Sequence, residues 1–191
     1  MIGFAYRYEG QAFYVLTSPS EGKTYCLDAS TKFWHLRSSG LLGGRWRGNC
    51  YVHYADKHLI GDYENGKIYE MDHSLYTENG ETVKATRTTR HIDAQRRNVT
   101  YHKLELHIES GVGNAVAPGD DPQIMLSWSD DGGHTWSNEH WGSMGKIGEY
   151  PYRVIWRRLG MSRDRIFKFA ITDPVNRVLI ALFADVTIGK N

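Results

Sequence analysis

Residues 129–136 read Ser-Asp-Asp-Gly-Gly-His-Thr-Trp and satisfy the pattern Ser-x-Asp-x-Gly-x-Thr-Trp, the Asp-box, at every specified position. These residue types spell a hairpin tie. The Asp131 carboxylate, with Ser129 and Thr135 beside it, can accept the amides of a tight turn. Gly133 can take a backbone conformation closed to side chains, and Trp136 can pack beneath the turn. Such roles predict structure, not catalysis. The second dense cluster is RVIWRRLGMSRDR, residues 153–165, with five arginines against one aspartate. Arg153, Arg157, Arg158, Arg163 and Arg165 with Trp156 have the composition of a surface that meets a polyanion, because guanidinium groups and aromatics suit phosphates and bases. The same residue types mark subunit seams. An exposed strand with charged flanks is a third reading.

Other candidate chemistry is thin. The Asp-box resembles those of sialidases and other carbohydrate-active propellers, where it lies away from the active site. A glycosidase also needs placed carboxylates, and no pair is singled out here by spacing. Asp120-Asp121 and Asp130-Asp131 lack the alternating oxygens of a calcium loop and read as solvated loop carboxylates. The nine histidines are scattered; His134 and His140, flanking a loop, are the best metal candidates, with ordinary surface histidines the stronger reading. GLLGGRWRG, residues 40–48, lacks the Lys-Ser/Thr ending of a phosphate loop. The expectation is a protein with no enzyme activity, no cofactor and no metal.

The elements that must position these residues are strands. Residues 22–30 read GKTYCLDAS and residues 66–74 read GKIYEMDHS, a repeat at an offset of 44. That length suits one four-stranded propeller blade, since blades run at roughly 40–50 residues. Only two copies are visible, whereas a closed propeller takes about four to eight blades. The chain is therefore expected to be a piece of a longer protein; the alternative is that the two units pack against something else. Twelve Tyr, six Trp, six Phe and 20 Gly favour strands joined by tight turns. Strands are expected near 12–17, 24–28, 33–37, 49–55, 58–62, 67–72 and 82–91, with PSEG, YENG and TENG as turns.

Beyond residue 91 the repeat stops but the β pattern persists. In 101–110 Leu104, Leu106 and Ile108 alternate with charged residues, as a half-buried strand does. Residues 111–122 read as a loop. Ile124, Leu126 and Trp128 share one face of a strand over 123–129. Phe167, Phe169 and Ile171 point inward from a strand that stops at Asp173-Pro174. Residues 177–188 form a nearly continuous apolar run, expected as a strand covered on both faces. The predicted fold is all-β: two propeller-blade-like repeats over 1–91, then a β-sandwich-like domain over 92–191.

Twenty-three basic and 22 acidic residues nearly cancel, which removes any global pull toward nucleic acid or membrane. No apolar run reaches the eighteen or so residues of a membrane span. The N-terminus lacks a signal-peptide pattern. Cys26 and Cys50 read as free, buried thiols of a soluble cytosolic protein, with a disulfide between them as the alternative.

The ordered series HKLELHIESG, QIMLSWSDDGGHTWS and WGSMGKIGEYPYRVIWRRLGMSRDRIFKFAITDP resembles the C-terminal region of the packaged-DNA stabilisation proteins, the tail hub proteins of short-tailed bacteriophages. The resemblance spans about residues 85–191. It implies a structural protein of the virion tail, assembled in the host cytoplasm. Such a protein would join the ring under the portal, plug or extend the exit channel, and stabilise packaged DNA. The implied partners are other tail and portal-complex proteins and copies of itself in a homo-oligomeric ring; a DNA contact without sequence preference is the reading of the arginine patch. No membrane is implied, and no catalytic residue is carried over. Family members are expected to be longer, with more propeller upstream. The rival class is a carbohydrate-active or glycan-binding propeller module, which would need a concave pocket that gathers arginines with a carboxylate.

Overall fold

The computed structural model describes residues 1–190, all strand and turn, and divides at Lys84/Ala85 into two compact units. The first unit begins with a four-stranded antiparallel meander: β1 (Ile2–Tyr8), β2 (Gln11–Ser18), β3 (Lys23–Asp28) and β4 (Phe33–Arg37). A three-stranded meander follows: β5 (Gly48–Tyr54), β6 (Lys57–Asp62) and β7 (Ile68–Glu70). The hairpin β8 (Thr77–Glu78) and β9 (Glu81–Thr82) comes after it. The repeat has a physical cause. Its glycines, Gly22 and Gly66, sit in left-handed turns at φ 62° and 68° ahead of β3 and β7. Its aspartates end those strands with the same turn, Asp28 accepting the Ser30 amide at 2.8 Å and Asp72 the Ser74 amide at 2.7 Å. The repeated unit is thus a β-meander. Tyr6, Val15 and Cys26 of the first meander form a core with Trp46, Tyr51 and Met71, the Phe4 and Tyr51 rings stacking at 5.9 Å.

The second unit is a β-sandwich. One sheet runs β10 (Ala85–Thr88), β17 (Asp164–Ile171), β13 (Gln123–Ser129) and β14 (His140–Ser143), with β11 (Ile92–Asp93) also on β17. The other centres on β12 (Val99–Ile108), flanked by β15 (Val154–Arg157) and β16 (Met161–Ser162) on one side. Along its other edge lies β18 (Leu179–Ile188). Tyr101, Leu104, Leu106 and Ile108 of β12 meet Ile124, Leu126, Phe167, Phe169 and Ile171 across the core. Asp173 ends β17 by accepting the Gln123 amide at 2.7 Å.

Four expectations are corrected. The unit boundary falls ahead of residue 92, because β10 and β11 ladder onto β17. The 82–91 strand is split between β9 and β10. Cys50 is exposed; only Cys26 is buried, and both thiols are free. Finally, β18 is not covered on both faces. Leu179 and Leu182 touch the core, but Ile180, Phe183 and Ile188 are exposed, since β18 is an edge strand laddered to β12 alone. Among the described residues no helix is long and apolar enough to cross a membrane.

Candidate interaction surface

The arginine-rich segment is sorted by strand alternation. In β15, Trp156 stands opposite Leu104 and Val154 opposite Leu106, so a period of two sends Ile155 and Arg157 to the outer face. Trp156 is therefore core: it is 7% exposed, and its Nε1 donates to the His140 carbonyl at 3.0 Å. Arg158 then takes a left-handed φ of 59°, its amide donating to the His102 carbonyl. That reversal returns Leu159 to the core. The WRRLG run encodes a strand end that turns back into the sandwich.

Arg165 is also removed from the surface, at 2% exposure. Its Nε and Nη2 donate to the two Asp130 oxygens at 2.6 and 2.7 Å, and Nη1 donates to the Leu159 carbonyl at 2.6 Å. The guanidinium lies 4.8 Å from the Tyr101 ring centre and 5.2 Å from that of Trp128. Asp130 is thus the partner of a buried arginine, although its own side chain stays 42% exposed. Neither Arg165 nor Trp156 can meet DNA or a partner.

What stays exposed is Arg153, Arg157, Arg158 and Arg163. Arg153 forks onto Glu105 at 2.7 and 2.6 Å, with Lys103 3.3 Å from the same carboxylate. The Arg153 hydrogen bond, seconded by Lys103, holds the Glu105 carboxyl down at about 2. Arg163 donates to Asn98 Oδ1 at 3.2 Å. Among the described residues Arg157 and Arg158 form no salt bridge. Lys103 lies between Arg157 and Asp185 across the sheet, and Glu105 between Ile155 and Phe183. Beside this row a shallow pocket is lined by Glu105, His107, Tyr150, Tyr152, Arg153 and Phe183. The rings of Tyr150 and Phe183 are 73% and 58% exposed. Sequence reasoning missed these aromatics, since Phe183 was assigned to a covered strand and 150–152 to no element.

This surface mixes both charge signs with exposed rings, the composition of a protein seam. Three cations outside the Arg153–Glu105 pair leave a weaker polyanion site than five arginines would. In this pocket the one arginine is locked to the one carboxylate.

The 129–136 hairpin is tied by its side chains. Asp131 accepts the Thr135 amide at 2.9 Å and hydroxyl at 2.6 Å, and Ser129 Oγ donates to it at 2.6 Å. The Gly133 amide donates to Ser129 Oγ at 2.8 Å, with Gly133 at φ 96°. Ser129, then Thr135, hold the Asp131 carboxyl far below the usual carboxylate range. Trp136 is half-buried and not a core residue; Lys168 Nζ sits 3.8 Å over its ring. The hairpin's inward tryptophan is Trp128, stacked on His140 at 4.7 Å. His134 and His140 are both exposed, and the His140 ring is taken up by that stacking.

Residues 84–187 match the family model described as bacteriophage P22 Gp10, beta-sandwich, a span that begins at the boundary between the two units. No curated protein matches the chain significantly.

Proposed function

Because the chain belongs to the bacteriophage P22 Gp10 β-sandwich family, and is with it a structural protein of the phage particle, we propose that it serves as a tail hub. In this reading it forms a homo-oligomeric ring beneath the portal, closes the exit channel on packaged DNA and gives other tail proteins their attachment. It acts by binding and not by catalysis. The observation that carries the reading is the family match across the whole sandwich. The outer face of β15–β12–β18 supports it, with exposed Phe183 sharing a pocket with Tyr150, Tyr152 and Arg153. Aromatic and arginine anchors dominate interface energies, at about 2 kcal/mol or more each. DNA would be met by phosphate contact alone. Arg157, Arg158 and Arg163 neutralising about three phosphates give a log–log salt slope near −3.

The test is R153A/R157A/R158A in a phage complementation assay. The variant protein should melt close to wild type, since exposed charges contribute within about 1 kcal/mol, yet particles should fail at tail attachment. Wild-type titres of infectious particles would overturn the role of this face.

A further inference from the structure

The sandwich closes along one margin and stays open along the other. At the closed margin β14 meets β15, where Trp156 Nε1 donates to the His140 carbonyl. At the open margin lies β18, which ladders to β12 and to no other described strand. Residues paired across a ladder share a face. Ala184, Val186 and Ile188 stand opposite Leu104, Tyr101 and Val99, all three buried in the core. Those β18 residues therefore point inward too, yet they are exposed, Val186 at 36% and Ile188 at 46%. The inner face of β18 thus carries apolar side chains that the facing sheet leaves uncovered.

The edge is also undefended. Natural proteins blunt an edge strand by keeping it short, by setting lysine or proline on it, or by bulging it. Strand β18 is ten residues long and holds neither lysine nor proline. Its own extra residue, Ile180, comes near its start, and the other register shift belongs to His102 of β12, so 181–188 runs without an insertion. Its one charge is Asp185. Among the described residues Asp185 forms no salt bridge; Lys103, opposite it, lies 3.3 Å from Glu105 instead.

We propose that residues 181–188 of β18 are the docking edge for one extended segment of another tail protein, added beside it as an antiparallel strand. Main-chain bonds to the free edge supply affinity in such a joint, and alternate side chains supply specificity. The segment that fits this margin sets apolar residues over Ala184, Val186 and Ile188 and polar ones on the outer face. Against Asp185 it places a lysine or arginine. A second β18 fits badly: centred on this run with faces matched, its Asp185 lies opposite or diagonal to the first, and like charges so placed repel. The inference rests on the reading of this chain as an attachment point for other tail proteins, and assigns that attachment to one strand edge.

Two labelled peptides test it on the full chain: Thr-Val-Thr-Val-Lys-Val-Thr-Val-Thr, and the same peptide with glutamate in place of the lysine. By fluorescence anisotropy the lysine peptide should bind more tightly, by about fivefold. Asp185→Lys, at a fully solvated position, should reverse that order. Hydrogen exchange should show the bound peptide protecting amides within 181–188 and none in β14. Val186→Lys with Ile188→Lys, checked by circular dichroism for a wild-type fold, should abolish binding, and phage carrying both should fail at tail attachment. Equal affinity for the two peptides, an unchanged order in D185K, or protection outside β18 would overturn the proposal. So would a wild type whose 181–188 amides are protected, without peptide, by pairing with a second β18. Normal titres from V186K/I188K phage beside failed titres from R153A/R157A/R158A would overturn this edge and leave the tail-hub reading standing. The peptide results stand apart from that reading, since they are measured on the purified chain.

Discussion

Asp130 and Arg165 form an ion pair whose two ends are buried unequally, and that asymmetry can be measured. The Arg165 side chain is 2% exposed, whereas that of Asp130 is 42% exposed. Asp130→Ala strands a guanidinium that water cannot reach, leaving it its bond to the Leu159 carbonyl and its contacts with Tyr101, Trp128 and Phe167. Removing one partner of a buried pair costs about 3–5 kcal/mol. Arg165→Met strands Asp130 instead, but that carboxylate can rehydrate, and methionine refills most of the volume between the rings. Its cost should be about 1–3 kcal/mol, mainly the unmet Leu159 carbonyl. At roughly 4 °C per kcal/mol for a domain of this size, D130A should lower Tm by about 12–20 °C and R165M by about 4–12 °C. Thermal melts followed by near-ultraviolet circular dichroism, where Trp128 reports, make the comparison. If R165M falls as far as D130A, the argument from unequal solvation is wrong.

The hairpin tie should matter more through its carboxylate than its indole, so Asp131→Ala should lower Tm further than Trp136→Ala; equal melts would refute the half-buried placement of Trp136. Asp131 and Glu105 both have folded-state pKa values below their unfolded ones. Their stabilisation is complete above the ordinary carboxylate range near 4 and lost as pH falls through the folded values, about 2 for Glu105. Melts should therefore decline between about pH 4.5 and 2, and a decline confined to pH 8–5 would contradict this. Gly22→Ala and Gly66→Ala meet no heavy atom within 4 Å, so each should cost only the left-handed backbone penalty of about 1–2 kcal/mol. Clearly unequal losses in thermal melts would break the equivalence of the two turns.

Local signals were legible in the sequence. Expected strands at 33–37 and 123–129 coincide with β4 and β13, because alternation and turn residues suffice there. The arginine cluster misled because linear density ignores parity. Arg165 shares parity with Phe167, Phe169 and Ile171, which already pointed inward, and its buried position follows from that count. The β18 run shows the converse error, since strand propensity and apolarity do not tell an edge from a centre. Strands β14 to β16 are too short for periodicity to declare them. That the repeated unit is a β-meander needed the ladder registers, although the offset of 44 was visible from the start.

The long ladder between β12 and β18 also governs the order in which the sandwich can form. It pairs Val99 with Ile188 and Leu106 with Leu182, so its central strand must wait for a segment made much later. On the ribosome β12 is complete while its longest partner is still unsynthesised, and the closure entropy of the intervening chain has yet to be met. Folding of this unit should be slow for its size, as it is for other sheets built on distant pairings. The waiting edge of β12 and the emerging LIALFADVTI run are the stretches most exposed to wrong pairing in that interval. The vulnerable moment comes before the last strand docks.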